Sequence, residues 1–363
     1  MARPVRARLD WNALRHNHGV VRHHAGRSRV WSVVKADAYG HGLLGAAKAL
    51  AEITDGFALV ELEGAMALRD AGFRHPILML EGPYQPEDFA LCSELELTPV
   101  LHTGWQVDAL IRAGLPRRQP IYLKLNTGMN RLGFNANEFA SALDKMVAAD
   151  CLESVVLMTH FSDADEARGI GVQMERFQAI AGGRSLPASL ANSAAILRFP
   201  EAHADWVRPG IMLYGSSPFP GMKSAAGIGL RPVMTLESEI IAVRNLVAGD
   251  TVGYGSSFVA VESMRVGIVA CGYADGYPRH APTGTPVIVA GRRTRTLGRV
   301  SMDKICIDLE GLPPEVGVGD TVTLWGGEGE MYLPADEVAL AAGTVAYELF
   351  CALASRVPLE EIN

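Results

Sequence analysis

The chain has 363 residues, of which 48% are hydrophobic, and its formal net charge is −7 at pH 7. This length and apolar content allow two domains, or one large barrel with a further domain. The negative charge argues against a nucleic acid as the main partner, and no apolar run approaches the roughly 20 residues that span a bilayer.

The N-terminal segment and the cysteines bear on location. Residues 1–10 contain arginines but no apolar stretch behind them, so we expect no secretory signal peptide. The five cysteines are scattered, and none has the pair spacing of a metal site. We therefore expect a cytoplasmic protein with reduced, mostly buried thiols and without a metal centre.

The first two thirds of the chain alternate short apolar strands with amphipathic helices. Residues 4–9 predict a strand, and Asp10 is a candidate N-cap for a helix over 11–24. Further helices are predicted at 43–53, 64–71, 87–94, 106–113, 136–148 and 173–181, and strands are predicted to end near Val34, Glu61, Glu81, Val100, Leu125, Thr159, Leu190 and Leu213. Eight such units predict a parallel (β/α)8 barrel of the TIM type. A doubly wound open sheet is the alternative, and it is disfavoured because no glycine-rich dinucleotide fingerprint follows the first strand.

The pattern changes after about Arg231. Segments 235–246, 265–271, 285–288, 305–309 and 321–324 are rich in β-branched residues between glycines and prolines, and a last helix is predicted over 334–342. This pattern predicts a mostly antiparallel β domain. We therefore expect an N-terminal strand (1–10) that pairs with the C-terminal domain, a barrel (11–230) and a C-terminal β domain (231–363).

Several polar residues follow the predicted barrel strands, where the functional groups of such barrels lie. Lys35 closes the first strand, and partial desolvation there would make its neutral amine available as a nucleophile. Each residue also has an ordinary explanation, because a strand-end lysine can extend to solvent and a serine can simply cap a helix. The combination at one barrel mouth carries the prediction: Lys35, Arg131, His160, Ser193 and Arg208.

Six separated segments, in this order, resemble alanine racemases. They are VVKADAYGHG (33–42), GMNRLG (128–133), RPGIMLYG (208–215), GYG (253–255), GYADG (272–276) and SMD (301–303). The resemblance covers essentially the whole chain. It implies a pyridoxal 5′-phosphate enzyme, a barrel followed by a β domain, that interconverts L-alanine and D-alanine by a two-base mechanism as a homodimer with shared active sites.

The resemblance implies two catalytic residues. Lys35 holds the cofactor as a Schiff base and acts as the base on one face of the substrate. Tyr254, contributed by the partner subunit, acts on the opposite face. The ordinary pKa of tyrosine, about 10, is too high for a good base near neutrality. Positive charge from His160, linked to Arg208, is expected to lower it; an exposed hairpin tyrosine is the alternative.

The resemblance also implies the cofactor contacts. Arg208 faces the pyridine nitrogen, and because arginine hardly gives up its proton, that nitrogen should stay unprotonated. Hydroxyl and backbone N–H groups of Tyr39, Ser193, Gly210 and Ile211 are expected to bind the phosphate. Many relatives have a tyrosine where this chain has Ser355, which leaves a phosphate contact at that position open.

The substrate side is expected to involve Arg131, whose planar guanidinium suits the substrate carboxylate or the cofactor's phenolic oxygen. In the family the lysine at the position of Lys124 is often carbamylated, so the resemblance implies a carbamylated Lys124. An unmodified, solvated lysine is the alternative. Tyr273, Met302 and Asp303 are expected near the entrance and the substrate carboxylate. Crowding by these side chains favours alanine over larger amino acids. Serine is expected as a minor substrate, because one methylene in such a pocket contributes only about 1–3 kcal/mol to the discrimination between substrates.

Two other functions fit the same architecture. A racemase or decarboxylase of basic amino acids would need an acidic group for the distal amine, and no motif marks one. A non-catalytic pyridoxal-phosphate-binding protein is usually a barrel alone, and the second domain with Tyr254 argues against it.

Overall fold

The computed structural model describes residues 3–362, which form two compact units. The barrel unit comprises His18–Ala38 and Gly42–Leu213, and the sheet unit comprises the residues up to Asn17, Tyr39–His41 and those from Tyr214 onward. The domain limits at 10/11 and 230/231 stay predictions. None of the helices within the described residues has both the length and the apolar character needed to cross a bilayer.

Two elements precede the barrel strands. Strand β1 (Arg6–Asp10) belongs to the sheet unit, and helix α1 (Trp11–Ala25) follows it directly. Asp10 caps this helix as predicted, because its Oδ1 accepts hydrogen bonds from the N–H groups of Asn12 (2.8 Å) and Ala13 (3.0 Å).

The barrel unit contains a closed barrel in which each strand pairs in parallel with the next and the last pairs with the first. Its strands are β2 (Arg29–Val33), β3 (Gly56–Leu59), β4 (Ile77–Met79), β5 (Leu97–Leu101), β6 (Gln119–Lys124), β7 (Leu152–Met158), β8 (Ala188–Asn192) and β9 (Trp206–Arg208). Strands β3 and β4 are buried throughout, as expected for parallel strands covered on both faces.

The helices of the barrel alternate with these strands. They are α2 (Lys35–Gly40), α3 (Leu43–Leu50), α4 (Leu62–Asp70), α5 (Asp88–Glu94), α6 (Gly104–Ala113), α7 (Ala136–Ala148), α8 (Gly171–Ala181) and α9 (Ser193–Arg198). Helix α7 shows why the local sequence starts a helix: Asn135 and Glu138 form a capping box, with both hydrogen bonds 2.9 Å long.

The sheet unit contains an eight-stranded, mostly antiparallel sheet in the order β13-β16-β15-β14-β17-β10-β1-β18 and a hairpin, β11–β12. Its remaining elements are α10 (Ala225–Ile228), β10 (Met234–Leu246), β11 (Thr251–Val252), β12 (Phe258–Val259), β13 (Met264–Val269), β14 (Pro286–Val289), β15 (Arg292–Leu297), β16 (Ile305–Asp308), β17 (Thr321–Trp325), α11 (Ala335–Ala342), α12 (Ala346–Cys351) and β18 (Leu359–Ile362). Strand β1 lies between β10, with which it is antiparallel, and β18, with which it is parallel. Both parts of the predicted fold class, the (β/α)8 barrel and the mostly antiparallel β domain, are thus confirmed.

Some predicted bounds were wrong. The eighth strand ends at Arg208 and not near Leu213, because Pro209 and Gly210 interrupt it and Ile211–Tyr214 form a 3-10 turn. Strand β15 was missed because its first four residues carry three arginines and lack the apolar alternation of a buried strand. No helix was predicted over 35–40, where α2 forms a left-handed helical turn.

Candidate active site

The C-terminal ends of the barrel strands bring the predicted basic residues to one rim. Lys35 follows β2, Lys124 ends β6, His160 follows β7, and Arg208 ends β9. Parallel strands in a barrel place these ends on the same face, where the sites of such folds form. Lys124, Arg131 and His160 line one small cavity together with Thr159, and the backbone oxygen of Thr159 accepts a hydrogen bond from Arg208 (2.6 Å).

The backbone after Lys35 is left-handed. Ala36, Asp37, Ala38 and Tyr39 have φ angles of 52°, 52°, 53° and 55°, a conformation that costs roughly 1–2 kcal/mol for each residue other than glycine. Backbone bonds hold the turn, since Ala38 N–H donates to Val34 O (3.0 Å) and Gly42 N–H to Asp37 O (2.9 Å). Backbone conformations of this kind are retained mainly at functional sites.

Arg208 is a buried cation without a carboxylate partner among residues 3–362. Its Nη1 donates to Ser189 O (2.6 Å) and Oγ (2.7 Å), and its Nη2 donates to Thr159 O (2.6 Å). Burial lowers the pKa of Arg208 to about 10, so it stays charged at neutral pH. Within the described chain nothing accepts a hydrogen bond from Nε, which leaves this donor available to a ligand.

Lys124 is 6% exposed, and its pKa is lowered to about 8 by burial and then by the charges of Arg208 and Arg131, against a smaller opposing effect of Glu81. A sizeable fraction of its amine is therefore neutral near physiological pH.

The pKa of His160 is lowered more strongly than that of Lys124, to well below 6.5. Burial is the largest cause, and the neighbouring cations follow in the order Arg208, Lys124, Arg131 and Lys35. We expected His160 and Arg208 to provide positive charge together. The imidazole is neutral, so the charge resides on the arginine.

The loop after β6 carries Arg131 and is organised by Asn126. The Oδ1 of Asn126 accepts hydrogen bonds from the N–H groups of Gly128 and Asn130, each 3.1 Å long. The loop returns to the strand end, where Phe134 N–H donates to Lys124 O (2.8 Å). Gly133 is required here, because its φ is 122° and a Cβ would lie 2.7 Å from the nitrogen of Asn126.

A chain of buried hydrogen bonds supports this rim from below. Thr127 Oγ1 and Thr159 Oγ1 are 2.8 Å apart, and Gln173 Nε2 donates to Thr127 Oγ1 (3.1 Å) and to His160 O (3.3 Å). Thr159 O in turn receives the bond from Arg208. Sequence reasoning missed Gln173, whose only signal was a polar residue on the buried face of α8.

The residues expected at the cofactor phosphate are placed in different units. In the barrel unit, Ser193 begins α9, and its Oγ accepts the N–H of Gly210 (3.0 Å). Ile211 is completely buried at the start of the following 3-10 turn. Tyr39 belongs to the sheet unit, where its ring stacks on that of Tyr214 with the centroids 4.7 Å apart and burial raises the pKa of its phenol.

The second predicted catalytic residue, Tyr254, lies in the sheet unit at the tip between β11 and β12 and is 69% exposed. Its turn depends on two glycines, Gly253 and Gly255, with φ angles of 72° and 71°. Tyr273 (39% exposed) and Met302 (52%) are also large side chains at the surface of this unit.

Asp303 and the turn of Tyr273 are held by an ion-pair network that sequence reasoning missed. Asp275 is completely buried and accepts bonds from Arg3 (2.6 and 2.9 Å) and Arg356 (2.7 Å). Arg356 also donates to Asp303 (2.6 Å), and Tyr273 N–H donates to Ser301 O (3.0 Å). The Asp303 carboxylate is thus paired with Arg356 within the unit. The available signal was Asp275 itself, a carboxylate inside the segment GYADG.

No group of three or more histidine, cysteine, aspartate and glutamate side chains suited to a metal ion was found between residues 3 and 362.

Comparison with known proteins gives one consistent result. Family models for the N-terminal and C-terminal domains of alanine racemase match residues 9–218 and 233–360. An alanine racemase of Nitrosospira multiformis is 54% identical over 360 residues, which are 98% of this chain and 99% of that protein.

Solved structures agree with the sequence comparison. The biosynthetic alanine racemase of Pseudomonas aeruginosa has a TM-score of 0.95 and 42% identity, over 99% of this chain and 100% of that one. The alanine racemase of Bartonella henselae, described with covalently bound pyridoxal phosphate, has a TM-score of 0.88 and 26% identity, over 99% of both chains. With both family models matched across nearly its full length, this chain belongs to the alanine racemase family.

Proposed function

We propose that this chain interconverts L-alanine and D-alanine with pyridoxal 5′-phosphate bound at the barrel mouth. The observation that carries the proposal is the set of basic side chains at one rim of the barrel, Lys35, Lys124, Arg131 and Arg208, in which Arg208 is buried without a carboxylate among the described residues. Buried cations are stable when an anion or hydrogen-bond acceptors compensate them. A phosphorylated cofactor and an amino acid together bring a phosphate, a phenolic oxygen and a carboxylate to such a site.

The residues present fit this cofactor. Lys35 would hold it covalently, and the Nε donor of Arg208 would face the pyridine nitrogen. Ser193, Ile211 and Tyr39 are the proposed phosphate contacts, together with Gly210, whose N–H already donates to Ser193. When bound, the cofactor supplies an electron sink for the electron pair left at Cα when a proton is removed.

The chain's own groups move the proton. Lys35 is the proposed base on one face of the substrate Cα, and Tyr254 is the base on the opposite face, so that a proton taken from one side is replaced from the other. Arg208 provides the positive charge near this chemistry, since it keeps its proton at neutral pH whereas burial and the neighbouring cations lower the pKa of His160. Arg131, oriented by the Asn126 loop, is the proposed partner of the substrate carboxylate.

We also propose that Lys124 is carbamylated. The neutral amine of Lys124 forms an N–C bond with CO₂ and loses one proton to water, so the product is a carbamate anion in the field of Arg131 and Arg208. The pKa of Lys124, lowered to about 8, supports the required neutral amine, and the surrounding cations would stabilise the carbamate.

The active unit is proposed to be a homodimer in which Tyr254 serves the partner's site, with Tyr273, Met302 and Asp303 near the entrance. Large exposed side chains at Tyr254, Tyr273 and Met302 support a covering partner. Mixing Lys35→Ala and Tyr254→Phe proteins tests the sharing, because random exchange should restore about a quarter of wild-type activity. No recovery after verified subunit exchange would contradict it.

The five free cysteines of this chain support a reducing, cytoplasmic location.

The activity is tested by circular dichroism of L-alanine and of D-alanine, incubated separately with purified protein and cofactor. Both samples should lose their optical signal and converge on the racemate. Binding of the cofactor without any change in either signal would favour a non-catalytic binding protein. Faster turnover of lysine, ornithine or arginine than of alanine would favour an enzyme of basic amino acids.

A further inference from the structure

A glutamate beside Lys35 makes an unusual contact. Glu61 is the N-cap residue of α4, a position that normally carries a short side chain bonding to its own helix. Its side chain makes no such bond. Instead, Glu61 Oε1 accepts a hydrogen bond from the backbone N–H of Ala36 at 3.1 Å.

This bond acts on the peptide that joins Lys35 to Ala36. The peptide marks the change from the extended strand β2 to the left-handed turn, in which Ala36 has a φ of 52°. Other bonds hold the turn further along, at Ala38 N–H (to Val34 O, 3.0 Å) and through Asp37 Oδ1, which accepts Leu43 N–H (2.7 Å). Of the described side chains, Glu61 alone bonds to the peptide next to Lys35.

The left-handed turn is unfavourable for its alanine, aspartate and tyrosine residues, so the contacts around it must define it. A charged acceptor is well suited to that task, because hydrogen bonds to ionised groups are stronger than neutral ones. The direction of the Lys35 side chain depends on the backbone to which it is attached. The bond from Glu61 therefore acts on the backbone that carries the Lys35 side chain.

We propose that Glu61 is a positioning residue for Lys35: its carboxylate fixes the Lys35–Ala36 peptide and keeps the amine directed for bonding to the cofactor. This inference rests on the proposed function, since it assumes that Lys35 holds pyridoxal phosphate. Glu61 itself contacts neither substrate nor cofactor in this account.

The test compares Glu61→Ala with Glu61→Gln, which keeps an oxygen acceptor, and with Glu63→Ala as a matched control. Glu63 is also exposed, also lies at the start of α4, and loses the same charge on substitution. Amide hydrogen exchange of the segment 33–42 is measured in the cofactor-free proteins. Loss of pyridoxal phosphate from the loaded proteins is followed by absorbance, and borohydride trapping with peptide mapping identifies the modified lysine.

Glu61→Ala should show three- to tenfold faster exchange across the turn and three- to tenfold faster loss of cofactor than Glu63→Ala. Glu61→Gln should recover most of both effects. If Glu61→Ala matches the control in both measurements, the positioning role is wrong. Absence of a trapped adduct at Lys35 in the wild type would overturn the proposed function instead, while the exchange data would still decide whether Glu61 holds the turn.

Discussion

Replacing Asp275 with asparagine should destabilise the sheet unit substantially. The substitution keeps the size of the side chain but removes its charge and replaces one acceptor oxygen with a donor. Three residues donate four hydrogen bonds to the carboxylate: Arg3 donates two, Arg356 donates one (2.7 Å), and the N–H of Gly272 donates one (2.9 Å). An amide NH₂ would therefore face at least one of these donors.

The size of the effect follows from burial. Breaking a buried ion pair typically costs about 3–5 kcal/mol, whereas an exposed pair contributes about 0–1 kcal/mol. Asp275 is completely buried, but Arg3 and Arg356 are 38% and 41% exposed and can regain hydration. We therefore expect a loss of about 2–3 kcal/mol in the free energy of unfolding, which corresponds to a Tm lower by roughly 5–10 °C.

Calorimetry or chemical denaturation measures the change, with Glu337→Gln as control. Glu337 pairs with Arg293 in the same unit, but both side chains are about half exposed, so its loss should stay within about 0.5 kcal/mol. Equal effects of the two substitutions would refute the reasoning from burial.

The pH dependence gives a second check on Asp275. Burial alone would raise the pKa of its carboxyl, but the bonds from Arg3, Arg356 and Gly272 outweigh burial and lower it. The resulting stability is present above the unfolded-state pKa and is lost as the pH falls through the lowered native pKa. Stability of Asp275→Asn should therefore fall less on acidification than that of the wild type.

Three further predictions concern the barrel mouth. Gly133→Ala places a Cβ 2.7 Å from the nitrogen of Asn126 at a residue whose φ is 122°. The substitution should displace the Arg131 loop and lower kcat/KM for alanine at least about tenfold in steady-state assays. Unchanged kinetics would contradict the role of this loop. Carbon-13 NMR with labelled bicarbonate should show a carbamate signal that grows as the pH rises through about 8, the pKa of Lys124. The Lys124→Arg protein should lack this signal. Absence of the signal from the wild type at alkaline pH would contradict carbamylation. Arg208→Lys should weaken cofactor binding at least about tenfold in titrations. The guanidinium of Arg208 donates through two nitrogens to Ser189 and Thr159, and one ammonium cannot replace both. Wild-type affinity for the cofactor would show that the planar group is unnecessary.

The barrel could be predicted from sequence because its signal is repetitive. Apolar strands and amphipathic helices recur along the chain, and helix α7 was predicted with its exact bounds, Ala136–Ala148. Strand β18 lacked such a signal, because its sequence LEEI is largely exposed and has no apolar alternation. Only its pairing with β1 in the folded sheet makes it a strand.

The left-handed turn after Lys35 had no local signal. Glycine usually marks such a backbone, whereas this segment reads Lys-Ala-Asp-Ala-Tyr before its first glycine. Its conformation is imposed by contacts from elsewhere in the fold, among them the carboxylate of Glu61.

Residue types at the site were easier to predict than their charge states. Lys124 lies at the end of a predicted strand, whereas Arg208 fell inside a predicted strand that ends five residues earlier in the structure. The low pKa of His160 could not be predicted, because it results first from burial and then from several cations, and only the folded barrel provides both. The pairing of Asp303 with Arg356 likewise joins residues 53 positions apart in sequence.

Two bases on opposite faces of one carbon can be separated by measuring α-proton exchange of each alanine enantiomer in deuterated water with the Tyr254→Phe protein. We expect one enantiomer still to exchange through Lys35, while interconversion falls by about 10²–10⁴-fold relative to wild type. Interconversion at the wild-type rate without the phenol would contradict the two-base mechanism.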